Sequence, residues 1–517
     1  MQSKSSAVSL NENDRVGFSA DSTRWLLASA VLGFLLMIPD VITRPLFGDD
    51  AYYIWGATQI HQGCYPIRDF FAIDPAGAWG YFCVTRFLFG EGSVGYWIMV
   101  SVSTGITAIL LGLLARNAVQ SLVVGIWVAF LFIIVQLRCT PPYALVGKDM
   151  IGFPFVLGGM LLGSRARWWL PANLLVGIGL AIKPTLGAIW LFWMVGDFWL
   201  HWRQLTWWVR RAAPASVAIG IPFLAATLWA ERHGWGWAAL KVNTGLSAGY
   251  GAYLSGANLY KFSHVFLPMF WMFPMAALAL RSRLPFKISR HQVIVSVLLG
   301  GLVNWVVQPM FNSWYFIPFF SGIVVMAGIG LVRIVPRISS QVLLMFCAGL
   351  FFAFVPSTNL RWIKLLGDVG GKEKYTLVEH QSRLMVQYGT GNTPPYIQNW
   401  VRNEVAKMVP HGAMVGITVT DGDLLWALRD YRPGFWAVWS PSWNPEKLAE
   451  GLKTDSAEVV VGVESQTPGS ESAIYYNKIA QLQWNMPDEA IEALAKNYQE
   501  VTNHFGYVIY RRREQIH

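Results

Sequence analysis

Apolar residues along the first two thirds of the chain come in long unbroken runs, without the polar interruptions that mark a surface helix or an alternating strand. The runs lie near 24–42, 95–115, 119–137, 150–163, 212–230, 264–280, 292–308, 315–332 and 339–356. Most approach the roughly 20 residues that cross a hydrocarbon core of about 30 Å. One stretch, 171–199, reads either as one long helix or as two short ones broken at Lys183-Pro184. Proline lacks the N–H that a helix interior needs, and a lysine at mid-membrane costs about 2.5–3.5 kcal/mol on insertion scales. Beyond residue 357 the pattern changes. Val401–Val409 reads as helix, Ala413–Val419 as strand and Asp423–Asp430 as helix. Ala457–Val463 follows as strand, Pro487–Asn497 as helix and Tyr507–Tyr510 as a closing strand. That alternation predicts a small α/β layer.

Composition agrees with a membrane location for the first part. The 517 residues are 54% hydrophobic and only 14% charged, whereas soluble domains hold about 25% charged residues. Residues 357–517 carry 16 of the 40 Lys+Arg and 18 of the 30 Asp+Glu, leaving 24 cations and 12 anions in 1–356. The excess cations lie between apolar runs, not on a polar scaffold, which excludes nucleic acid as a partner. Cys64, Cys83, Cys139 and Cys347 form no CxxC pair, so no zinc site is expected; His61 and Cys64 have no second pair to complete one.

Charge decides the topology. Breaking 171–199 into two helices gives about eleven membrane passages, with a cytoplasmic tail at 1–23 and an uncleaved first span. Fifteen cations then lie inside, among them Arg116, Arg165, Arg167, Arg203, Arg210, Arg211, Arg281, Arg283 and Arg333, against nine outside. One long helix would turn the clusters at 203–211 and 281–290 outward, against the positive-inside tendency. The expected fold class is a polytopic α-helical membrane protein (24–356) with a C-terminal extracytoplasmic α/β domain (357–517). Two large outer loops, 43–94 and 231–263, are long enough to be functional. Trp168-Trp169 and Trp207-Trp208 sit at span ends, as interfacial anchors do.

The first loop carries the chemistry. It opens Arg44-Pro45-Leu46-Phe47-Gly48-Asp49-Asp50-Ala51-Tyr52-Tyr53, two adjacent carboxylates entering an amphipathic run. An aspartate there also serves as an ordinary helix cap. That role does not account for the second acid, nor for the continuation through Gly63, Pro66, Arg68, Asp69, Phe70, Asp74, Pro75 and Gly77. Asp49, Asp50, Tyr53 and Ala57, then Gly63, Pro66, Arg68, Asp69 and Phe70, then Pro75, Gly77, Phe89 and Gly90, resemble the first extracytoplasmic loop of GT-C integral-membrane glycosyltransferases. That group includes protein O-mannosyltransferases and lipid A aminoarabinose transferases. Lys148-Asp149, the run Gly179–Pro184 and Gln308 with Trp314–Pro318 resemble later landmarks of the same group. One departure is Asp74, where many relatives place a lysine that meets the donor phosphate.

The resemblance implies a glycosyltransferase of a bacterial inner membrane, drawing sugar from a polyprenyl-phosphate donor for a glycan, lipid or protein acceptor. The chemistry of such a site is consistent with that supply. An outward-facing enzyme has no cytoplasmic nucleotide sugars, and Gly370-Gly371-Lys372 lacks the spacing of a phosphate loop. Attack on the anomeric carbon needs a base, here Asp49, with Asp50 tuning its pKa or orienting the acceptor. The departing phosphate is better served by cations than by an acid; the candidates are Lys183, Arg68, Lys148 and Arg138. Three have a plainer reading: Arg68 pairs with Asp69, Lys148 pairs with Asp149 or snorkels, and Arg138 ends a span; Lys183, an ionisable group within an apolar helix pair, is functional by default. Tyr53, Asp69, Asp74, Asp149, Tyr260 and His264 are candidate substrate contacts. No metal ligand set is recognisable, although an acidic loop is compatible with a divalent ion. A transporter or lipid-linked-sugar flippase is the alternative, since broken helices with a buried lysine occur there too; a non-catalytic envelope scaffold is a third. Alkaline phosphatase fused after Ser357 is expected to be active, and an inactive fusion would overturn this topology.

Overall fold

The computed structural model describes Asp49–Cys139 and Lys148–Lys241 nearly throughout, most of 270–334 and most of 395–513, with isolated positions before residue 43. The expected spans at 24–42 and 339–356 lie largely outside the described residues. The first loop is not open chain but holds two helices, α1 (Asp49–His61) and α2 (Ala76–Phe89), joined by the segment 62–75. The bundle then continues with α3 (Ser93–Val119), α4 (Leu122–Cys139), α5 (Lys148–Gly163), α6 (Trp169–Ile182), α7 (Gly187–His201) and α8 (Leu205–Glu231). It closes with α9 (Met272–Leu280), α10 (Ile288–Val306) and α11 (Ile317–Ile334).

Among the described residues, Gly95–Val119 and α8 are long and apolar enough to cross a membrane unaided, with mean hydropathies of 2.2 and 1.6. Shorter apolar helices run Leu122–Ile133, Trp169–Ile182, His291–Val306 and Ile317–Leu331. The two long helices differ in setting. The most apolar window of α8 is only 17% buried, against 56% for the other. The exposed side of α8 carries Val217, Ile221, Leu224 and Leu228 at helical spacing. Such an apolar stripe is a liability in water and at home in hydrocarbon.

At Lys183-Pro184 the helix breaks. Lys183 has an extended backbone (φ −141°, ψ 93°), and Pro184–Leu186 forms one 3₁₀ turn before α7 begins. α6 packs on α5 and α8, whereas α7 packs on α10. Helix α5 approaches α6 through glycine. A Cβ at Gly179 would lie 2.7 Å from the Gly152 carbonyl oxygen, and one at Gly152 would lie 3.0 Å from the Gly179 oxygen. The same pairing of small residues recurs where membrane helices pack backbone to backbone.

Contrary to the amphipathic reading of its sequence, α1 is buried on every side from Ala51 to Ile60. It is held between α2 and the C-terminal segment. That segment comprises α12 (Pro395–Met408), β1 (Met414–Ile417), α13 (Gly422–Ala427), β2 (Arg432–Pro433) and α14 (Pro445–Thr454). Then follow β3 (Val459–Val463), α15 (Asp488–Asn497), β4 (Tyr498–His504) and β5 (Tyr507–Arg512). The strands form one mixed sheet in the order β2-β1-β3-β5-β4, parallel on the β1 side and antiparallel around β5. Strands β2 and β4 were not expected. β2 has two residues, and β4 (YQEVTNH) is an edge strand whose polar side chains hide its pattern.

A single apolar core runs from α1 and α2 into α12, β1, α13, β3 and β5. A second fills the helical bundle from α3 to α11. Overpacking a tight backbone contact costs roughly 1–3 kcal/mol, so Gly179→Ala is expected to lower the unfolding midpoint in detergent. Gly105→Ala, with nothing within 4 Å of the new methyl, is the matched control. Equal midpoints for both variants would contradict the close α5–α6 approach.

Candidate functional site

Helix α1 opens with Asp49 and Asp50, where the exposed N–H groups of the first turn favour negative charge. The Asp49 side chain lies outside the described residues. Asp50 is buried, and the Tyr96 hydroxyl from the first turn of α3 donates a 3.2 Å hydrogen bond to its Oδ1. Tyr96 was not among the sequence candidates, because no local motif connects it with residue 50.

The first two residues of α5 make the densest charge contacts. The Lys148 ammonium pairs with the buried carboxylate of Asp74, just ahead of α2. Asp149, fully buried, faces the other way: its Oδ2 lies 3.5 Å from Lys183 Nζ at the α6–α7 break. Asn304 of α10 donates to Asp149 Oδ1 at 3.2 Å and to the Tyr315 carbonyl at 3.3 Å. The lysines also lie over aromatic faces, Lys148 Nζ 5.3 Å from the Tyr53 ring centroid and Lys183 Nζ 4.8 Å from that of Tyr315. One helix end therefore ties together the approach to α2, the α6–α7 break, α10 and the turn before α11. Asn304 was missed; its signal was an amide inside the apolar run 292–308.

Arg68 and Asp69 serve the turn between α1 and α2. The Arg68 guanidinium donates to Asp69, at 2.6 Å from Nη2, and to the Gly63 carbonyl at 3.0 Å. Asp69 in turn accepts from the Tyr65 N–H at 2.7 Å. Gly63 (φ 87°) and Ile67 (φ 66°) take left-handed backbone here, so side-chain bonds hold a turn that costs strain at Ile67. The hydrogen bonds that Arg68 donates to the Asp69 carboxylate hold the Arg68 pKa above its ordinary value. Cys64 in the same turn is half-buried, and burial pushes its thiol pKa up. The Arg138 side chain, Tyr260 and His264 lie outside the described residues. Among the described residues no three His, Cys, Asp or Glu side chains converge as a metal set.

No family model and no curated protein matches the sequence. Solved structures do. The structure is similar to that of ArnT from Cupriavidus metallidurans bound to undecaprenyl phosphate, with a TM-score of 0.58 and 15% identity over 95% of this chain and 98% of that one. The apo state of ArnT matches over the same shares with a TM-score of 0.56. The arabinofuranosyltransferase AftD from Mycobacteria matches at 0.50 and 14% identity, over 96% of this chain and 40% of AftD. The chain has the GT-C fold.

In this GT-C fold the C-terminal layer braces the helix that carries the acids. Gln59, fully buried on α1, donates to the Arg429 carbonyl at 3.2 Å and the Tyr431 carbonyl at 3.1 Å. Gln62 adds a 3.3 Å bond to Arg429. An unmade hydrogen bond at a buried carbonyl costs about 1–3 kcal/mol. Gln59→Leu is therefore expected to speed backbone hydrogen exchange in α13 and β2 well before the bundle exchanges. Unchanged exchange there would mean that apolar packing alone holds the layer on α1.

Proposed function

We propose that the protein is a membrane glycosyltransferase. It moves a sugar from a polyprenyl-phosphate donor to an acceptor hydroxyl on the extracytoplasmic face, in the plasma membrane of a bacterium. The observation that carries this reading is the lysine pair at one end of a GT-C bundle, buried Lys183 and half-buried Lys148, the latter over the Tyr53 ring of α1. A neighbour of the same fold, ArnT, was solved with undecaprenyl phosphate bound.

Helix direction supports the orientation. Following the helices from α3 to α8 and through α10 and α11, the ends bearing Tyr96, Lys148, Asp149, Lys183, Asn304 and Tyr315 share one pole. The ends bearing Arg116, Arg167, Arg203, Arg210, Arg211 and Arg333 take the other. On the positive-inside tendency the arginine pole is cytoplasmic. The acid–lysine pole and the 357–517 domain then face outward, with about eleven passages and a cytoplasmic tail at 1–23.

In the reaction Asp49 takes the acceptor proton as the hydroxyl oxygen attacks the anomeric carbon. The bond from that carbon to the phosphate oxygen breaks, and its electron pair leaves with the phosphate. Attack from the face opposite the phosphate inverts the anomeric centre. Asp50, held by Tyr96, keeps the first turn of α1 in place and orients the acceptor. Lys148 and Lys183 receive the phosphate. Where relatives place a lysine this chain has Asp74, and Lys148 from α5 brings the cation to that position instead. Their carboxylate partners, Asp74 and Asp149, balance the two cations before the anion enters, since an isolated buried charge is costly.

General-base removal typically costs 10²–10⁴-fold in rate. Asp49→Asn is expected to lose transfer by about that factor while keeping membrane insertion and thermal stability. The assay is turnover of a polyprenyl-phosphate sugar by the purified protein. A fully active variant would move the base to Asp50 or Asp69.

A further inference from the structure

The pole opposite the acids holds a second charged feature. Helix α7 runs into a short turn, Trp202-Arg203-Gln204, and α8 carries a π turn at Trp208–Ala212, just after its first three residues. π turns widen a helix and are frequent at functional sites. Asp197, the only carboxylate between residues 164 and 212, is already engaged. It accepts from Trp207 Nε1 at 2.6 Å and pairs with Arg211 at 3.5 Å. Arg211 lies over the Trp169 ring at 5.0 Å, and Trp169 Nε1 donates to the Arg211 carbonyl at 2.9 Å. These contacts bring the start of α6, with Arg167 and Trp168, against the π turn.

Three exposed arginines remain, Arg167, Arg203 and Arg210, with no carboxylate in ion-pair reach among the described residues. Two lie over tryptophan rings, Arg167 on Trp168 at 5.6 Å and Arg203 on Trp202 at 4.8 Å. Around them Trp199, Trp202, Leu205, Trp208 and Val209 are exposed apolar side chains. A tryptophan belt beside uncompensated arginines, continuous with the apolar stripe of α8, matches the two ends of a phospholipid. Its acyl chains meet the stripe and its phosphate meets the guanidinium groups.

We propose that this pole binds the headgroup of an anionic phospholipid of the inner leaflet, held between the start of α6 and the α7–α8 turn by Arg167, Arg203 and Arg210. The proposal rests on the membrane orientation given above and is independent of sugar transfer. A zwitterionic headgroup cancels its own phosphate charge and gains little from three arginines, so selectivity for net negative charge is the signature.

The test uses the full chain in nanodiscs of equal phosphatidylcholine and phosphatidylglycerol, with retained lipid counted by native mass spectrometry. Wild type is expected to retain phosphatidylglycerol preferentially. Replacing Arg167, Arg203 and Arg210 by Gln should remove that preference, at roughly fivefold per arginine. A matched set of Lys407→Gln, Lys453→Gln and Lys496→Gln on the C-terminal layer should leave it intact. The Arg-to-Lys triple variant should keep most of it, which separates lost charge from lost fold. Equal retention of both lipids by wild type, or an undiminished preference in the Gln triple variant, would overturn the proposal. Sugar transfer in phosphatidylcholine-only nanodiscs, expected to be equal for wild type and the Gln triple variant, reports separately on the catalytic reading.

Discussion

Two adjacent residues at the start of α5 impose the tightest constraint on the molecule. Lys148 points to Asp74 and Asp149 to Lys183. A buried ion pair adds little net stability, because removing both charges from water offsets most of their attraction. Removing one partner is different and typically costs about 3–5 kcal/mol, since the survivor is left uncompensated. The arrangement therefore acts more as a lock than as glue. It admits one placement of the α2 approach, the α6–α7 break and α10 around the end of α5, and disfavours others.

The break at Lys183-Pro184 makes that lock possible. The Lys183 N–H still closes the last turn of α6 on the Gly179 carbonyl, and its own carbonyl accepts from Leu186 in the 3₁₀ turn that follows. The extended backbone at Lys183 sets its ammonium against Asp149, and the 3₁₀ turn redirects the chain so that α7 packs on α10. Close α5–α6 contact at Gly152 and Gly179, within four residues of both ion-pair partners, limits how far the two helices can slide. Charge pairing, helix break and glycine contact are one device seen at three scales.

Helix α1, at the same pole, is braced differently. Helix α1 has no polar face of its own. Its surroundings are α2 on one side and α13 on the other, sealed by Gln59 and Gln62 reaching backbone carbonyls of the C-terminal layer. An acid-bearing helix buried all round is held by apolar packing along its length, while its first turn is fixed by the Tyr96–Asp50 hydrogen bond. The C-terminal layer is thus part of the support of the acids, whatever further role it has.

Much of this was legible in the chain. Long apolar runs located α3, α4, α8, α10 and α11, because hydrocarbon-facing and bundle-facing residues must both be apolar. The Lys183-Pro184 break was readable from proline's missing N–H, and the Asp49–Asp50 start of α1 from residue type and spacing. The strands β1, β3 and β5 were readable from β-branched runs, but the polar edge strand β4 was not. What the sequence determined by itself were these local properties, since each follows from the residues within one segment. Beyond the adjacent pair Arg68–Asp69, which charge meets which was decided by tertiary structure. The neighbours Lys148 and Asp149 do not pair with each other but with Asp74 and Lys183, 74 and 34 residues away in sequence. Asn304, Tyr96 and Gln59 found their partners the same way. A side chain's partner is fixed by where folding brings the opposite charge or carbonyl, and no spacing along the chain records that.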